Sequence, residues 1–275
     1  MSKLTERQDR RLRITQERHA AATAERLERQ VREKQSLGVR PPDWSKAPVG
    51  EGFCSPRGPR CVDARVYTQD RRPCCWYQIH ETLRVTVDLL NAIGVPWWGD
   101  YGTALAAVCR GGMFPWDKDS DLGVLQVDKP KVMEFQLPVK RMGMGWRASI
   151  RSTVKVMASK ANHTNCDIFS WHLERGKWAR YVYADVDDFK GREFPEDWLF
   201  PLTTLDYEGI TLNLPAAIRW PGETPAPHIP GFEQGSLFLE FRYGPGWMHP
   251  RRANNDEKWS HLRALEMLRR LGVAA

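Results

Sequence analysis

Apolar residues recur at helical spacing between Trp76 and Ile93, whereas the residues between them are mostly polar. This period predicts an amphipathic helix over Trp76–Ile93, and Gly94 stands where a C-terminal cap belongs. The residues that share the apolar face are Ile79, Leu83, Val87, Leu90 and Ile93. A helix of this kind needs a sheet or further helices to cover that face.

Beyond Gly94 the pattern changes to short apolar runs separated by turns. VPWW (95–98) predicts a short buried strand, and GDYGTALAAVCRGG (99–112) predicts a turn that enters a helix. Further strands are predicted at 121–127, 164–173 and 180–185, and a C-terminal helix is predicted at 255–271. This alternation predicts an α/β or α+β fold, in which helices flank a mixed sheet.

Residues 1–43 have a different composition, rich in Arg, Glu, Gln and Ala, with few apolar positions. They predict a basic helical arm and linker that lack a continuous core-facing stripe. Three roles stay open for the arm: a solvated helix, a contact between copies in a homo-oligomer, or adhesion to an anionic membrane surface.

The composition excludes a disordered or fibrous protein, since 41% of the 275 residues are hydrophobic and all 12 Trp lie at Trp44 or later. A net charge of +7 favours anionic partners such as phosphates, nucleotides, nucleic acid or lipid head groups. No stretch approaches the roughly 20 apolar residues of a membrane span, and the N-terminus lacks the apolar core of a secretory signal. We therefore expect a cytoplasmic protein.

Four of the six cysteines cluster in a loop with few apolar residues, over 44–75. They are Cys54, Cys61, Cys74 and Cys75. In a cytosolic protein such a cluster indicates a structural Zn²⁺ site more often than disulfides, although the spacing is not that of a standard zinc ribbon. Cys109 and Cys166 lie in apolar contexts and are predicted to be inert core residues.

The strongest chemical signal is the run PWDKDSDLGV, which contains Asp117, Asp119 and Asp121. Alternate residues of a strand project to one face, so the three carboxylates can point the same way. They would repel one another without a cation, and their oxygens suit Mg²⁺ or Mn²⁺. Asp167, in an apolar stretch, is a candidate fourth acid. The alternative is a solvated acidic turn, similar to a calcium-binding loop.

A candidate anion site precedes the acids. Gly102 and Thr103 open the predicted helix, whose N-terminal amides can hold a phosphate, and Arg110 lies two turns further on. An anion site followed by a metal-binding acid pair is what phosphoryl transfer requires, because a metal neutralises charge and a carboxylate can take a proton from a hydroxyl.

The run YGTALAAVCRGGMFPWDKDSDLGV (101–124) resembles the signature of the LicD/fukutin family. The resemblance continues, in family order, in NHTNCDIFSWH (162–172), FPEDWLFPL (194–202), YEGITLNLP (207–215) and FLEFRYGPGWMHP (238–250). It implies a nucleotidyltransferase-like catalytic domain over residues 76–275. Ala106 and Lys118 depart from residues common in the family, which weakens any inference about the particular donor.

The resemblance implies a metal-dependent transferase that moves a phospho-alcohol from a CDP-activated donor to a glycan hydroxyl. Asp119 and Asp121 would then ligate Mg²⁺ or Mn²⁺ with help from Asp117, and Asp167 would act as a ligand or general base. The donor phosphates would contact Gly102, Thr103 and Arg110. His163 is a candidate donor-side residue, against a purely structural role. A similar cysteine cluster binds zinc in a member of the family.

Two other functions remain open. One is a nucleotidyltransferase on the same fold, which would release pyrophosphate. The other is a zinc-stabilised protein with a vestigial site that binds nucleic acid or a membrane. The intact acid set argues against this alternative, because a site without catalysis has no physical reason to keep carboxylates crowded together, and nucleic acid is an unlikely partner. The acceptor of a cytoplasmic transferase would be a glycan or lipid-linked glycan, and the basic arm would hold the enzyme peripherally at the inner membrane face.

Overall fold

The structure is a computed structural model that describes residues 37–47, 73–114, 116–148, 153–180, 193–218, 237–243 and 247–248. The chain divides into two units, residues 1–39 and 40–275, and every element named below belongs to the second. The predicted helical arm, the predicted C-terminal helix and two of the proposed zinc ligands, Cys54 and Cys61, lie outside the described residues.

The described helices are α1 (Pro73–Ala92), α2 (Tyr101–Arg110), α3 (Lys129–Met133), α4 (Gln136–Arg141) and α5 (Leu237–Tyr243). The strands are β1 (Trp97–Gly99), β2 (Asp119–Leu125), β3 (Gly145–Ala148), β4 (Thr153–Met157), β5 (Asn165–Glu174), β6 (Lys177–Arg180), β7 (Phe194–Pro195), β8 (Thr203–Tyr207) and β9 (Ile210–Leu214). Short 3-10 turns lie at Trp44–Lys46, Gln126–Asp128, Glu196–Trp198 and Ala216–Ile218.

Seven of these strands form one mixed sheet with the order β1-β2-β5-β4-β3, in which β6 pairs with the far end of β5 and with β7. The pairing of β2 with β5 is parallel, and the other pairs are antiparallel. Strands β8 and β9 form a separate hairpin. The predicted mixed sheet flanked by helices is confirmed, and no described helix is long and apolar enough to cross a membrane.

Most predicted elements of the central region are present, with shifted ends. Helix α1 begins three residues before the predicted start, and β2 begins at Asp119, two residues early, so Asp119 and Asp121 belong to the strand itself. Strand β5 covers nearly the predicted range. Of the strand predicted at 180–185, Arg180 is the last described residue of β6, and residues 181–192 lie outside the described part.

The two faces of the sheet differ in chemistry because side chains alternate along each strand. On one face the buried residues Leu122, Cys166 and Ile168 pack towards α1, and the Cys166 thiol lies within hydrogen-bonding reach of the Thr86 hydroxyl. Burial raises the pKa of the Cys166 thiol, and it raises that of Cys109 to about 12, so both cysteines are the inert core residues predicted. The opposite face carries the acids.

The β8–β9 hairpin covers the β1 side of the sheet. A Cβ at Gly99 would lie 2.9 Å from Leu212 Cδ2, so this close approach requires glycine. At the tip of the hairpin, the Glu208 amide donates to the Gly111 carbonyl over 3.2 Å, and the Glu208 carbonyl lies 3.0 Å from His80 Nε2. The hairpin therefore ties the end of α2 to α1.

Candidate active site

Three charged side chains form a row across the centre of the sheet. Asp121 on β2 is the register partner of Asp167 on β5, and Asp167 is the register partner of Lys155 on β4. Directly opposed residues of neighbouring strands point to the same face, so the register places two carboxylates and one ammonium group side by side. We call these three residues the charged row.

Within the charged row, Asp167 is held by donors of its own sheet. Lys155 Nζ lies 2.7 Å from Asp167 Oδ2, and Asn165 Nδ2 donates to Asp167 Oδ1 over 2.5 Å. The Asp167 side chain is 9% exposed and that of Lys155 is 35% exposed. Both oxygens of the buried carboxylate therefore have a partner, while the lysine stays accessible to solvent.

The other two acids of the predicted cluster lie next to the charged row. Asp119 is on the same face of β2 as Asp121 and pairs in register with Asn165. Asp117 precedes β2, and its Oδ2 accepts a hydrogen bond of 2.9 Å from the Phe114 amide. The structure thus brings all four predicted acids to one end of the β2–β5 ladder.

The negative charges of the neighbouring acids act most strongly on Asp121. Its pKa is raised well above the ordinary value, first by burial and then by the negative charges of Asp119, Asp167, Asp100 and Asp117. Asp121 is partly open to solvent. The surrounding carboxylates repel its negative charge, and a bound cation would relieve that repulsion.

The start of α2 fixes Asp121 through its backbone. The Asp121 amide donates to Thr103 Oγ1 over 2.7 Å, and the Asp121 carbonyl accepts from the Asp100 amide over 2.9 Å. A Cβ at Gly102 would lie 3.6 Å from Asp121 Oδ2, so the helix begins directly beside the carboxylate. Thr103 is buried, and its hydroxyl positions the acid.

Asp100 caps α2 and lies in a sealed ion pair that the sequence did not reveal. Its Oδ1 accepts from the Tyr101 amide over 2.9 Å, and its Oδ2 accepts from Trp171 Nε1 over 2.8 Å. Arg242 Nη1 lies 2.8 Å from Asp100 Oδ1, and the two side chains are 3% and 0% exposed. Burial alone would lower the pKa of Arg242, but Asp100 together with Tyr101 and Tyr243 outweighs burial and the pKa is raised.

Aromatic rings surround the Arg242 guanidinium. Its Cζ lies 4.5–5.7 Å from the ring centroids of Tyr101, Phe238, Trp171 and Phe194. The guanidinium nitrogens make no well-directed hydrogen bond to a described residue, so the Asp100 charge and the ring faces are its partners. We call Asp100, Arg242 and these rings the sealed pair.

Two predicted donor-binding residues, Arg110 and His163, are exposed to solvent. Arg110 is the exposed last residue of α2, and the length of the helix separates it from Gly102 by about 12 Å. His163 is exposed in the turn before β5, where its Nε2 lies 3.2 Å from the Lys160 carbonyl. Its neighbour Asn162 is buried and donates to Gln78 Oε1 over 2.7 Å, which is a structural role.

The part of the proposed zinc loop that the structure describes is its end. Cys74 and Cys75 are both buried in the first turn of α1. Cys54 and Cys61 lie outside the described residues, so a zinc site over the four cysteines stays a prediction.

The acids fit a cation that a phosphate ligand helps to hold. Among the described residues, no three Asp, Glu, His or Cys side chains converge closely enough to hold a metal ion on their own. Mg²⁺ is commonly bound by one or two carboxylates while substrate phosphates and water complete its shell. Asp119 and Asp121 offer such a pair where several carboxylates lie close together.

A mixed sheet with clustered acids at the start of a helix defines a candidate phosphoryl-transfer site. Residues 94–217 match the LicD/FKTN/FKRP nucleotidyltransferase domain, which confirms the resemblance predicted from the motifs. The chain is 29% identical over 244 residues to the mouse protein named ribitol 5-phosphate transferase FKRP, and 28% identical to its human counterpart. Each alignment covers 83% of this chain and 46% of the relative, so the chain spans about half the length of these relatives.

Among solved structures, a lincomycin-bound lincosamide antibiotic adenylyltransferase, LnuA, matches 49% of this chain and 78% of its own. The identity is 16% and the TM-score is 0.33, which is too low to support a conclusion.

The sealed pair is the part of the site that sequence reasoning missed. Asp100 directly precedes a predicted helix, which is a typical N-cap position. Arg242 is a charged residue in the aromatic run FLEFRYG. Each residue carried a local signal, but nothing in the sequence indicated that the two would meet.

Proposed function

We propose that this chain is a metal-dependent phosphotransferase that moves a phospho-alcohol from a CDP-activated donor to a hydroxyl of a glycan. The hydroxyl oxygen attacks the β-phosphorus and forms the new P–O bond. The bond from that phosphorus to the bridging oxygen breaks, CMP leaves, and the hydroxyl proton passes to a carboxylate. The names of the mouse and human relatives favour ribitol phosphate as the group transferred.

The observation that carries the proposal is the crowding of negative charge around Asp121, whose pKa is raised by burial and by the charges of Asp119, Asp167, Asp100 and Asp117. Among the described residues, Lys155 pairs with Asp167 and Arg242 pairs with Asp100. Asp119 and Asp121 lie close to the N-terminus of α2, where backbone amides favour a phosphate. A protein with no cationic ligand would gain stability by losing one of these acids.

Asp119 and Asp121 would hold Mg²⁺ or Mn²⁺, with Asp117 assisting. Such an ion neutralises charge on a diphosphate and lowers the barrier to departure of the nucleotide. The chain itself supplies orientation: Thr103 and Asp100 fix the backbone of Asp121, and Gly102 leaves the space beside its carboxylate free of a side chain. Asp167 contributes through its contact with Lys155 or as a proton acceptor.

The remaining predictions belong to the same proposal. The acceptor is a glycan or lipid-linked glycan, and the basic arm places the enzyme at an anionic membrane surface or in a homo-oligomer. The four clustered cysteines bind a structural Zn²⁺ ahead of α1. A cytoplasmic location follows if the arm acts at the inner membrane face.

Calorimetric titration with CDP-ribitol, CDP-glycerol, CDP-choline and CTP, with and without Mg²⁺, tests the proposal. We expect the wild type to bind one CDP-alcohol only with the metal, and Asp119→Ala/Asp121→Ala to lose that binding. Asp197→Asn is the control, since Asp197 is exposed in the turn after β7.

Product analysis then separates the reactions. CMP released upon addition of a glycan acceptor supports the proposal. Preference for CTP with release of pyrophosphate would instead identify a nucleotidyltransferase. Absence of nucleotide binding would favour a zinc-stabilised binding protein with a vestigial site.

A further inference from the structure

The Lys155–Asp167 contact has an arrangement that a simple structural ion pair does not need. Asp167 lies on the central strand β5 and is nearly buried, with one oxygen bonded to Asn165 and the other to Lys155. Lys155 lies on β4 and keeps about a third of its side chain in solvent. The lysine can therefore leave the carboxylate for an anion arriving from solvent without crossing the protein core.

The order of residues in the charged row also determines which ligand atoms Lys155 can contact. Asp121, Asp167 and Lys155 are neighbours in that order across three strands. A phosphate held beside Asp121 by a cation would have Lys155 as the next positive charge along the same face. Lys155 would then satisfy a phosphate oxygen, and Asp167 would be free to face the cation.

We infer that Lys155 is a binding residue for the donor's diphosphate, one that neutralises Asp167 in the unliganded protein and moves to a phosphate oxygen when donor and cation bind. This inference rests on the proposed function, because it needs a nucleoside diphosphate as the ligand. It adds a cationic residue on the β4 side of the site, opposite the amides of α2.

The inference predicts that loss of the Lys155 charge changes the affinity for the cation and the affinity for the diphosphate in opposite directions. Lys155 competes with a cation for Asp167, so Lys155→Met removes a competitor of the metal. The same substitution removes a charge-assisted contact to phosphate, which is among the stronger polar contacts in proteins. A merely structural lysine would weaken both events together, because its loss would disturb the strands that carry the acids.

The first measurement titrates the protein with Mn²⁺ alone and follows the unbound Mn²⁺ by its electron paramagnetic resonance signal. The second measurement titrates the protein with CDP at saturating Mn²⁺ by calorimetry. For Lys155→Met we expect Mn²⁺ affinity to rise by about threefold, as for loss of a partly exposed ion pair. We expect CDP affinity to fall by about tenfold or more. Lys155→Arg should retain most of the CDP affinity because it keeps the charge.

Lys131→Met is the matched control. Lys131 on α3 has its Nζ 2.8 Å from Oδ1 of Asp128, which lies in the 3-10 turn after β2, so the two residues form another lysine–aspartate pair. Its loss should change neither affinity. If Lys155→Met does not fold, as judged by its thermal transition, Lys155→Gln can still hydrogen-bond Asp167 and is expected to give the same two changes.

A fall or no change in Mn²⁺ affinity, or an unchanged CDP affinity, overturns the inference. If Lys155→Met binds CDP normally while Asp119→Ala/Asp121→Ala does not, the inference fails and the proposed function stands. If the wild type does not bind CDP with Mn²⁺, both fail.

Discussion

Asp100 and Asp121 lie side by side in the structure, joined by a backbone hydrogen bond, yet their surroundings are opposite. Asp100 is fully buried and has a guanidinium, an indole N–H and a backbone amide as partners. Asp121 is partly open to solvent and is surrounded by other acids. The sealed pair and the crowded carboxylates around Asp121 therefore lie next to each other on one face of the sheet.

The difference distinguishes a structural carboxylate, Asp100, from a carboxylate that can attract a ligand, Asp121. A buried carboxylate with its charge compensated is a fixed part of the framework, and removing its partner leaves a costly unpaired charge. A carboxylate crowded by like charges destabilises the fold slightly but attracts a cation. The sealed pair holds the start of α2 in place, and the start of α2 holds Asp121.

The largest effect is expected for Arg242→Met, which breaks the sealed pair. Asp100 would remain buried without its counter-charge, so the free energy of unfolding should fall by about 3–5 kcal/mol. Chemical denaturation measures this change. The double variant Asp100→Asn/Arg242→Met keeps an N-cap and removes both charges, so it should recover most of the loss. Equal destabilisation of the single and double variants would show that packing of Arg242, and not its charge, matters.

A slightly smaller effect is expected for Asp121→Asn on activity. This substitution removes a charge from the reacting end of the site without changing its shape, so kcat should fall by about 10²- to 10³-fold. Steady-state kinetics with the donor identified by titration measures kcat, and the kcat of Asp197→Asn should equal that of the wild type. Retention of full activity in Asp121→Asn would exclude this aspartate from the reaction.

Divalent metal should stabilise the open region but not the sealed pair. At a concentration of Mg²⁺ or Mn²⁺ about 100 times its Kd, the wild type should gain about 2.7 kcal/mol. Thermal unfolding with and without the metal reports the gain as a shift in Tm. Asp119→Ala/Asp121→Ala should show no shift, and Arg242→Met should show a shift from a lower starting value. A shift that persists in the double alanine variant would place the metal elsewhere.

The smallest effect concerns pH. The pKa of Asp121 is raised in the fold, so its contribution to stability is fully present below the unfolded value of about 3.9 and is lost as pH rises through the folded-state pKa. At neutral pH without metal, Asp121→Asn should raise the free energy of unfolding by about 1 kcal/mol. Near pH 3 the gain should vanish. A constant difference between wild type and variant at both pH values would contradict the raised pKa.

The sequence predicted the parts of this molecule that depend on local patterns. The apolar period of α1, the alternation in β2 and β5 and the aspartate spacing all follow from residues close in the chain. The structure confirms these elements and places the four acids together. The gathering of Asp167 with Asp121 was implied by the family resemblance, and the parallel register explains it physically.

The parts that escaped prediction depend on contacts between distant residues. The β3–β4 hairpin has mixed polar and apolar residues, and its pairing with β5 sets the position of Lys155. Arg110 was expected near the phosphates from its spacing along a helix; the structure places it at the exposed end of α2, and its contact with the donor stays a prediction. The Asp100–Arg242 contact joins residues that no local pattern relates.

The sealed pair also bears on where the functional domain ends. The family match stops at residue 217, but Arg242 lies on α5, beyond that boundary. A fragment limited to residues 94–217 would lack both α1 and the counter-charge of Asp100. Trp171, 71 positions from Asp100, would bind a carboxylate without its cation. We therefore expect a fragment that folds on its own to extend from α1 at least to Tyr243, and expression of shorter pieces to yield aggregated protein.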